Sequence, residues 1–205
     1  MKIFDITIPM QTSLATWPGD TAFKFQLNWK KTEGASVNVG MLMTSVHSGT
    51  HADAPFHFLD DGVTIDAIDL QTYIGPAMVI DVSGRGTITI EDFKGIDLSR
   101  TPRVLFKTNS WLDHSTFPTT IAVMSEDVPA FLKDQGVVLI GLDVPSVDLL
   151  DSKDLIIHQL LAANHIHILE SLLLEKIPQG VYELIALPLK IVGGDGAPVR
   201  AILRK

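Results

Sequence analysis

The chain contains no cysteine. That absence excludes disulfide bridges, thiolate zinc sites and a cysteine nucleophile, so any metal must be held through nitrogen and oxygen. No apolar run approaches the roughly 18 residues of a membrane-spanning helix. Asp5 also interrupts the N-terminal stretch where a signal peptide would carry an unbroken apolar segment. A cytoplasmic protein is therefore expected. Basic residues are in deficit as well. The 16 Lys and Arg against 24 Asp and Glu give a formal net charge of −8, which argues against a nucleic-acid partner. No Gly-x-Ser-x-Gly elbow occurs, and Gly193-Gly194-Asp195-Gly196 lacks the following Lys-Ser/Thr and the spacing of a phosphate loop. It reads as a turn before the last strand. No internal repeat, low-complexity tract or linker divides the chain, so residues 1–205 read as one domain, long enough to bury a substantial core.

What the chain has instead is a concentration of histidine. Three of its seven histidines, His47, His51 and His57, fall within eleven positions, with Asp53 among them. Gly49 and Pro55 break the stretch, so it is not one long helix. Imidazole and carboxylate at this density suit a divalent transition metal. Upstream, Val37, Val39, Met41 and Met43 alternate into a strand that runs towards His47. Ligands at a strand end and its following loop are rigidly held yet open to substrate. Asp60-Asp61-Gly62 reads as turn chemistry. In the C-terminal half, His158 lies on a largely apolar helix expected over 155–163, capped by Asp154 and stopped by Asn164. Glu170 follows Ile166, Ile168 and Leu169, and a carboxylate buried there needs a partner. On the residues alone, a lone histidine on a buried helix is more often a hydrogen-bonded core residue than a ligand, and His165 and His167 compete for the role.

Strands are expected over 2–9, 23–29, 37–43, 77–82, 104–107, 137–142, 181–187 and 199–203. Phe23, Phe25, Leu27 and Trp29 alternate with polar residues, the pattern of a half-buried strand. Residues 137–142 form an almost uninterrupted apolar run, as in a central strand buried on both faces. A helical turn capped by Thr89 is expected at 89–93, and a helix at 125–135 with Gly136 as its stop. The sum is an α/β domain with many strands and few helices. Trp17, in Trp17-Pro18-Gly19-Asp20, sits on a loop, either as a lid over a pocket or as a local packing anchor.

His47-Ser48-Gly49-Thr50-His51-Ala52-Asp53-Ala54-Pro55-Phe56-His57-Phe58 resembles the HxGTHxDAPxHF signature of the cyclase-like metal-dependent hydrolases. The stretches 17–20, 141–148 and 193–200 match as well, so the resemblance spans nearly the whole chain. Those matches and the short length point to the kynurenine formamidase (arylformamidase) branch. The resemblance implies a mixed β-barrel-like core with flanking helices, of the swivelling β/β/α type, and a homodimer. It also implies His158 and Glu170 as a second ligand pair, leaving His165 and His167 as structural residues.

Five ligands, His47, His51, Asp53, His158 and Glu170, exceed what one open tetrahedral ion uses. The resemblance has Asp53 and Glu170 bridging two ions, with His47 and His51 completing one site and His158 in the other. Zinc, two ions per subunit, suits these donors, with manganese as the alternative. His57 is open between a sixth ligand and a proton carrier, and the resemblance favours proton transfer. It also sets Trp17 in the substrate pocket, and Phe58 is expected to help shape it. The implied reaction is hydrolysis of N-formyl-L-kynurenine to L-kynurenine and formate, a step of tryptophan breakdown. The alternatives are opening of isatin or a related cyclic amide, and a non-catalytic metal-binding protein of the same fold.

Overall fold

A computed structural model describes residues 1–205. In chain order its strands are β1 (Ile3–Asp5), β2 (Lys24–Trp29), β3 (Val39–Met43), β4 (His51–Asp53), β5 (Ile74–Asp81), β6 (Thr87–Ile88), β7 (Arg103–Lys107) and β8 (Val123–Met124). Helix α1 (Val128–Asp134) and β9 (Leu139–Leu142) follow, then α2 (Ile156–Ala163), β10 (His167–Glu170), β11 (Gly180–Ile185), β12 (Gly196–Pro198) and β13 (Ile202–Arg204). Nine strands form one mixed sheet in the order β1-β13-β11-β5-β7-β9-β10-β4-β12. Its centre, from β5 through β7 and β9 to β10, is parallel, and both flanks are antiparallel.

The connectivity forces this sheet to curl. Pro198 of β12 and Ile202 of β13 are four residues apart, so the chain between them spans at most about 14 Å. Their strands stand seven places apart in the sheet, about 34 Å if it were flat. Only a sheet rolled into a half-barrel satisfies both, which agrees with the barrel-like core that the resemblance implies and with the many strands and few helices read from the residues.

Alternation then sorts side chains onto two faces. Val104 and Phe106 of β7, Ile140 and Leu142 of β9, and Ile168 of β10 pack against Val128 and Leu132 of α1 and Ile157 and Leu161 of α2. Leu105, Leu139 and Leu169 face the inside of the curl with Ala52, Tyr73, Leu184 and Ala197. Within the run 137–142, Val138 is exposed, but all four residues of β9, Leu139–Leu142, are buried, as expected of a central strand covered on both faces.

Three local expectations are revised. Asp154 does not cap α2. Asp148 accepts the N–H groups of Ile157 and His158 at 2.9 and 3.1 Å, while Leu155, just before the helix, adopts a left-handed φ of 46°. The first helix spans only Val128–Asp134 within the expected 125–135. The half-buried strand expected over 23–29 is also different. Phe23 is buried, but every residue of β2 and β3 is exposed, and the pair stands off the body as a two-stranded arm.

Candidate metal centre and active site

Strand register assembles the site. β4 lies between β10 and β12, and its residues pair as Glu170↔His51, Ile168↔Asp53 and Gly196↔Asp53. The two-residue period therefore places His51, Asp53 and Glu170 on the helix-bearing face, while Ala52, Leu169 and Ala197 fill the interior. His158 comes down onto that face from α2. His47 reaches it from the turn before β4, where Gly196 leaves room for the ring. A Cβ at 196 would stand 2.8 Å from His47 Cε1 and 2.9 Å from the Ala52 carbonyl oxygen.

The polar atoms converge. Asp53 Oδ1 is 3.0 Å from His47 Nδ1 and 3.2 Å from His51 Nε2, and its Oδ2 is 3.7 Å from His158 Nε2. Glu170 presents Oε2 to His51 Nε2 at 3.5 Å and Oε1 to His158 Nε2 at 3.7 Å. His51, Asp53, His158 and Glu170 are all buried. Each of the three imidazoles is anchored by its outer nitrogen. His51 Nδ1 contacts the Gly49 carbonyl at 2.9 Å, His158 Nδ1 contacts Asp148 Oδ2 at 2.7 Å, and His47 Nε2 contacts Asp195 Oδ2 at 3.0 Å. The inner nitrogens are thereby aimed at the two carboxylates. Glu170 Oε1 in turn accepts the Val147 N–H at 3.0 Å.

This arrangement fits a divalent cation. His51 Nε2 is buried without a hydrogen-bond partner, which a native interior tolerates where a further ligand satisfies the atom. His47, His51 and Asp53 form one group with converging donor atoms, Asp53, His158 and Glu170 form a second, and the less buried His47, His57 and Asp195 form a third at the edge. Outer nitrogens bound to carboxylates or a carbonyl are the usual orienting partners of metal-binding imidazoles.

Electrostatics point the same way. Burial opposes ionisation of Asp53, but the imidazoles of His158, His47 and His51 around it outweigh that cost and hold its carboxyl well below 3.8. Burial, and then the neighbouring Asp53 charge, push Glu170 up to about 7. Burial also opposes the charged form of the imidazoles. Asp53 and Asp195 nevertheless raise His47 to about 9, and Asp148 with Asp53 raises His158 to about 10. The field at the centre is negative. It draws protons onto two imidazoles and would draw a dication in the same way.

Above the cluster lies a cavity of about 530 Å³. Its floor includes His47, His51, His158 and Glu170, and Trp17, Trp111 and Phe117 stand among its walls. Trp17 packs edge-on to Phe117 with ring centroids 5.1 Å apart, so this loop indole is both a packing partner and a cavity wall. His57 lines the cavity too, its side chain 34% exposed and its ring over His47 at 3.9 Å. Burial lowers its pKa from the ordinary 6.5. Ser171 and Leu155, both on the cavity wall, adopt left-handed φ angles of 57° and 46°. Non-glycine strain of this kind gathers where a site over-determines the backbone.

All five expected ligands and His57 thus come together. Phe58 does not line this cavity. Its ring lies 5.0 Å from that of His158 and borders a second cavity with His165 and His167. Three residues escaped the sequence reading, Phe117 of the cavity wall among them. Asp148 was legible only as part of a matching stretch, although a carboxylate ten residues before His158 is a candidate cap. Asp195 reads in the sequence as a turn residue, and the usable signal is an acid in a glycine-rich loop directly before β12.

Fold and site together define an α/β protein with a candidate metal centre under an open cavity. The chain belongs to the cyclase family, since residues 4–149 match the family model described as "Putative cyclase". It is 46% identical over 200 residues to kynurenine formamidase of Bacillus cereus, covering 98% of this chain and 96% of that protein. A solved structure described as "The Structure Of Potential Metal-Dependent Hydrolase With Cyclase Activity" superposes with a TM-score of 0.84 at 30% identity, covering 98% of this chain and 96% of the other. Isatin hydrolase A from Labrenzia aggregata, bound to benzyl benzoate, has the same fold, with a TM-score of 0.84 at 24% identity over 98% of this chain and 93% of that one.

Proposed function

We propose that this chain, acting as a single domain in the cytoplasm, hydrolyses N-formyl-L-kynurenine to L-kynurenine and formate. The observation that carries the reading is the pairing of a largely buried cluster of three imidazoles and two carboxylates with a further, partly exposed imidazole, His57, at the cavity edge. Identity of 46% to a kynurenine formamidase across 98% of the chain supports the choice of substrate.

His47, His51, Asp53, His158 and Glu170 would hold two divalent ions, zinc in our reading and manganese as the alternative. When bound, such ions supply Lewis acidity, which polarises a carbonyl and acidifies a water. Asp53 and Glu170 suit bridging roles, because each turns one oxygen towards His51 and the other towards His158. Asp148 and the Gly49 carbonyl keep the rings of His158 and His51 aimed inwards.

His57 takes a proton from the attacking water as its oxygen bonds to the formyl carbon. It returns a proton to the aryl nitrogen as the C–N bond breaks, leaving formate and a free amine. Its lowered pKa keeps the ring neutral and able to accept at neutral pH. Trp17 and Phe117 bind the aromatic ring. Phe58 acts from behind, fixing His158. A homodimer is part of the same reading, supported by the exposed apolar arm of β2 and β3.

The test is hydrolysis of N-formyl-L-kynurenine followed by absorbance, with metal content measured on the same sample and isatin as the competing substrate. His57→Ala should lower kcat by roughly 10²–10⁴-fold with its metal retained. A variant that loses metal instead makes His57 a ligand. Wild type that opens isatin but leaves formylkynurenine intact overturns the substrate assignment.

A further inference from the structure

Asp195 belongs to none of the ligand or acid–base roles above, yet its side chain reaches the centre. Its Oδ2 lies 3.0 Å from His47 Nε2 and 3.5 Å from His57 Nδ1. The two rings it touches are stacked, with centroids 3.9 Å apart and an interplanar angle of 33°. The backbone of the same loop is pinned independently. The Asp195 carbonyl accepts the Ala54 N–H at 2.9 Å, and the Gly194 carbonyl accepts the Ile65 N–H at 2.9 Å. Gly196, next in the chain, provides the space in which the His47 ring lies.

His47 lies between two carboxylates at equal distance, Asp53 Oδ1 at 3.0 Å from Nδ1 and Asp195 Oδ2 at 3.0 Å from Nε2, so with a cation on the Asp53 side the tautomer is set by Asp195. An imidazole that donates Nε2–H to a carboxylate keeps its lone pair on Nδ1. In this chain His47 Nδ1 is the nitrogen facing Asp53 and the metal cluster. The opposite tautomer would turn an N–H on the cation and leave two lone pairs facing each other across the Asp195 contact. The same oxygen also restrains His57, which otherwise sits on a short 3-10 turn, Pro55–His57, with a partly exposed side chain.

We infer that Asp195 is a positioning residue for both halves of the centre: it fixes His47 in its metal-binding tautomer and holds His57 over it. The inference rests on the metal reading proposed above, but not on the identity of the substrate. Asp195 is not among the residues lining the cavity, so it acts through the two histidines and not by touching substrate.

Zinc titration of chelator-treated protein by calorimetry tests it, on wild type, Asp195→Ala and Asp195→Asn. Steady-state kinetics follow at saturating zinc. Because the loop is held by main-chain bonds, both variants should keep the wild-type circular dichroism spectrum. Asp195→Ala should weaken zinc binding by about 10- to 100-fold with unchanged stoichiometry. It should lower kcat while leaving KM within about twofold, since it removes orientation and not a substrate contact. Asp195→Asn keeps an acceptor oxygen of the same shape and should recover most of the zinc affinity. Wild-type affinity in Asp195→Ala overturns the inference alone. Loss of a whole zinc equivalent makes Asp195 a direct ligand and also overturns it. Wild type that takes up no zinc overturns the metal reading and this inference together, whatever the protein does with formylkynurenine.

Discussion

Trp17 carries two contacts at once, the Phe117 ring on one side and the open cavity on the other. An indole used to hold an aryl substrate contributes binding that is about equal in ground and transition states, so its loss falls on KM. Trp17→Ala should raise KM roughly two- to tenfold, an aromatic contact being worth about 0.5–1.5 kcal/mol, with a smaller effect on kcat. A large fall in kcat at unchanged KM would assign Trp17 to organising the centre instead. His167 makes a separate prediction, away from the site. It shares the interior-facing side of β10 with Leu169, and burial, helped by neighbouring His165, lowers its pKa from 6.5. Folding therefore favours the neutral ring. The stability this brings is complete above pH 6.5 and is lost as the pH falls from there through the folded value. His167→Gln should lose less stability between about pH 7.5 and about pH 5.5 than wild type, read from urea midpoints. Equal losses in the two chains would remove His167 from the acid response.

At the scale of elements, the turn Asp60-Asp61-Gly62 behaves as its composition predicts, but its glycine has a tertiary purpose. A Cβ at Gly62 would overlap the backbone of Pro55 and Phe56, on the 3-10 turn that ends at His57. Main chain cannot swing aside as a side-chain tip can. Gly62→Ala should therefore cost about 1–3 kcal/mol in denaturant unfolding and lower kcat with it, because relief of the clash moves His57. A stable, fully active variant would show that this turn gives way without disturbing the site. The cap of α2 is a parallel case. Asp154 has the right chemistry and spacing, but the N–H groups of Ile157 and His158 bond to Asp148, which is also bonded to His158 Nδ1. One carboxylate starts the helix and orients its ligand, so helix placement and ligand aim are coupled.

At the scale of the whole molecule, the arm of β2 and β3 is unfinished. Phe25, Leu27 and Leu42 lie on one face, and Met41 and Met43 on the other. The irregularity between Leu27 and Trp29 brings Trp29 opposite Val39. The first face is apolar, the second mixes its methionines with Lys24 and Gln26, and both are exposed, with Trp29 at 61% and Leu42 at 64%. An arm of this kind is stable in water when another surface covers it, and in the proposed homodimer that surface is the partner. Leu27→Lys with Leu42→Lys should shift the protein from dimer to monomer in sedimentation equilibrium while leaving each subunit folded. Wild type that sediments as a monomer at assay concentration would sink the dimer proposal.

The sequence by itself determined whatever depends on neighbours a few residues away: the alternation of the sheet strands, the apolar centre at 137–142, the turns, and the dense donor set from His47 to His57. A resemblance in motif, added to these, pointed to His158 and Glu170. Tertiary structure decided what depends on pairing across long separations. His47 and Asp195 are 148 positions apart, and they meet because β12 pairs with β4 with Gly196 opposite Asp53. No residue within a turn of Asp195 marks that register, so the local chemistry of Gly-Gly-Asp-Gly gave only a turn. The arm misled for the converse reason. Period-two alternation records that one set of side chains is apolar, but whether anything covers that set depends on where the rest of the fold, and a second subunit, come to lie.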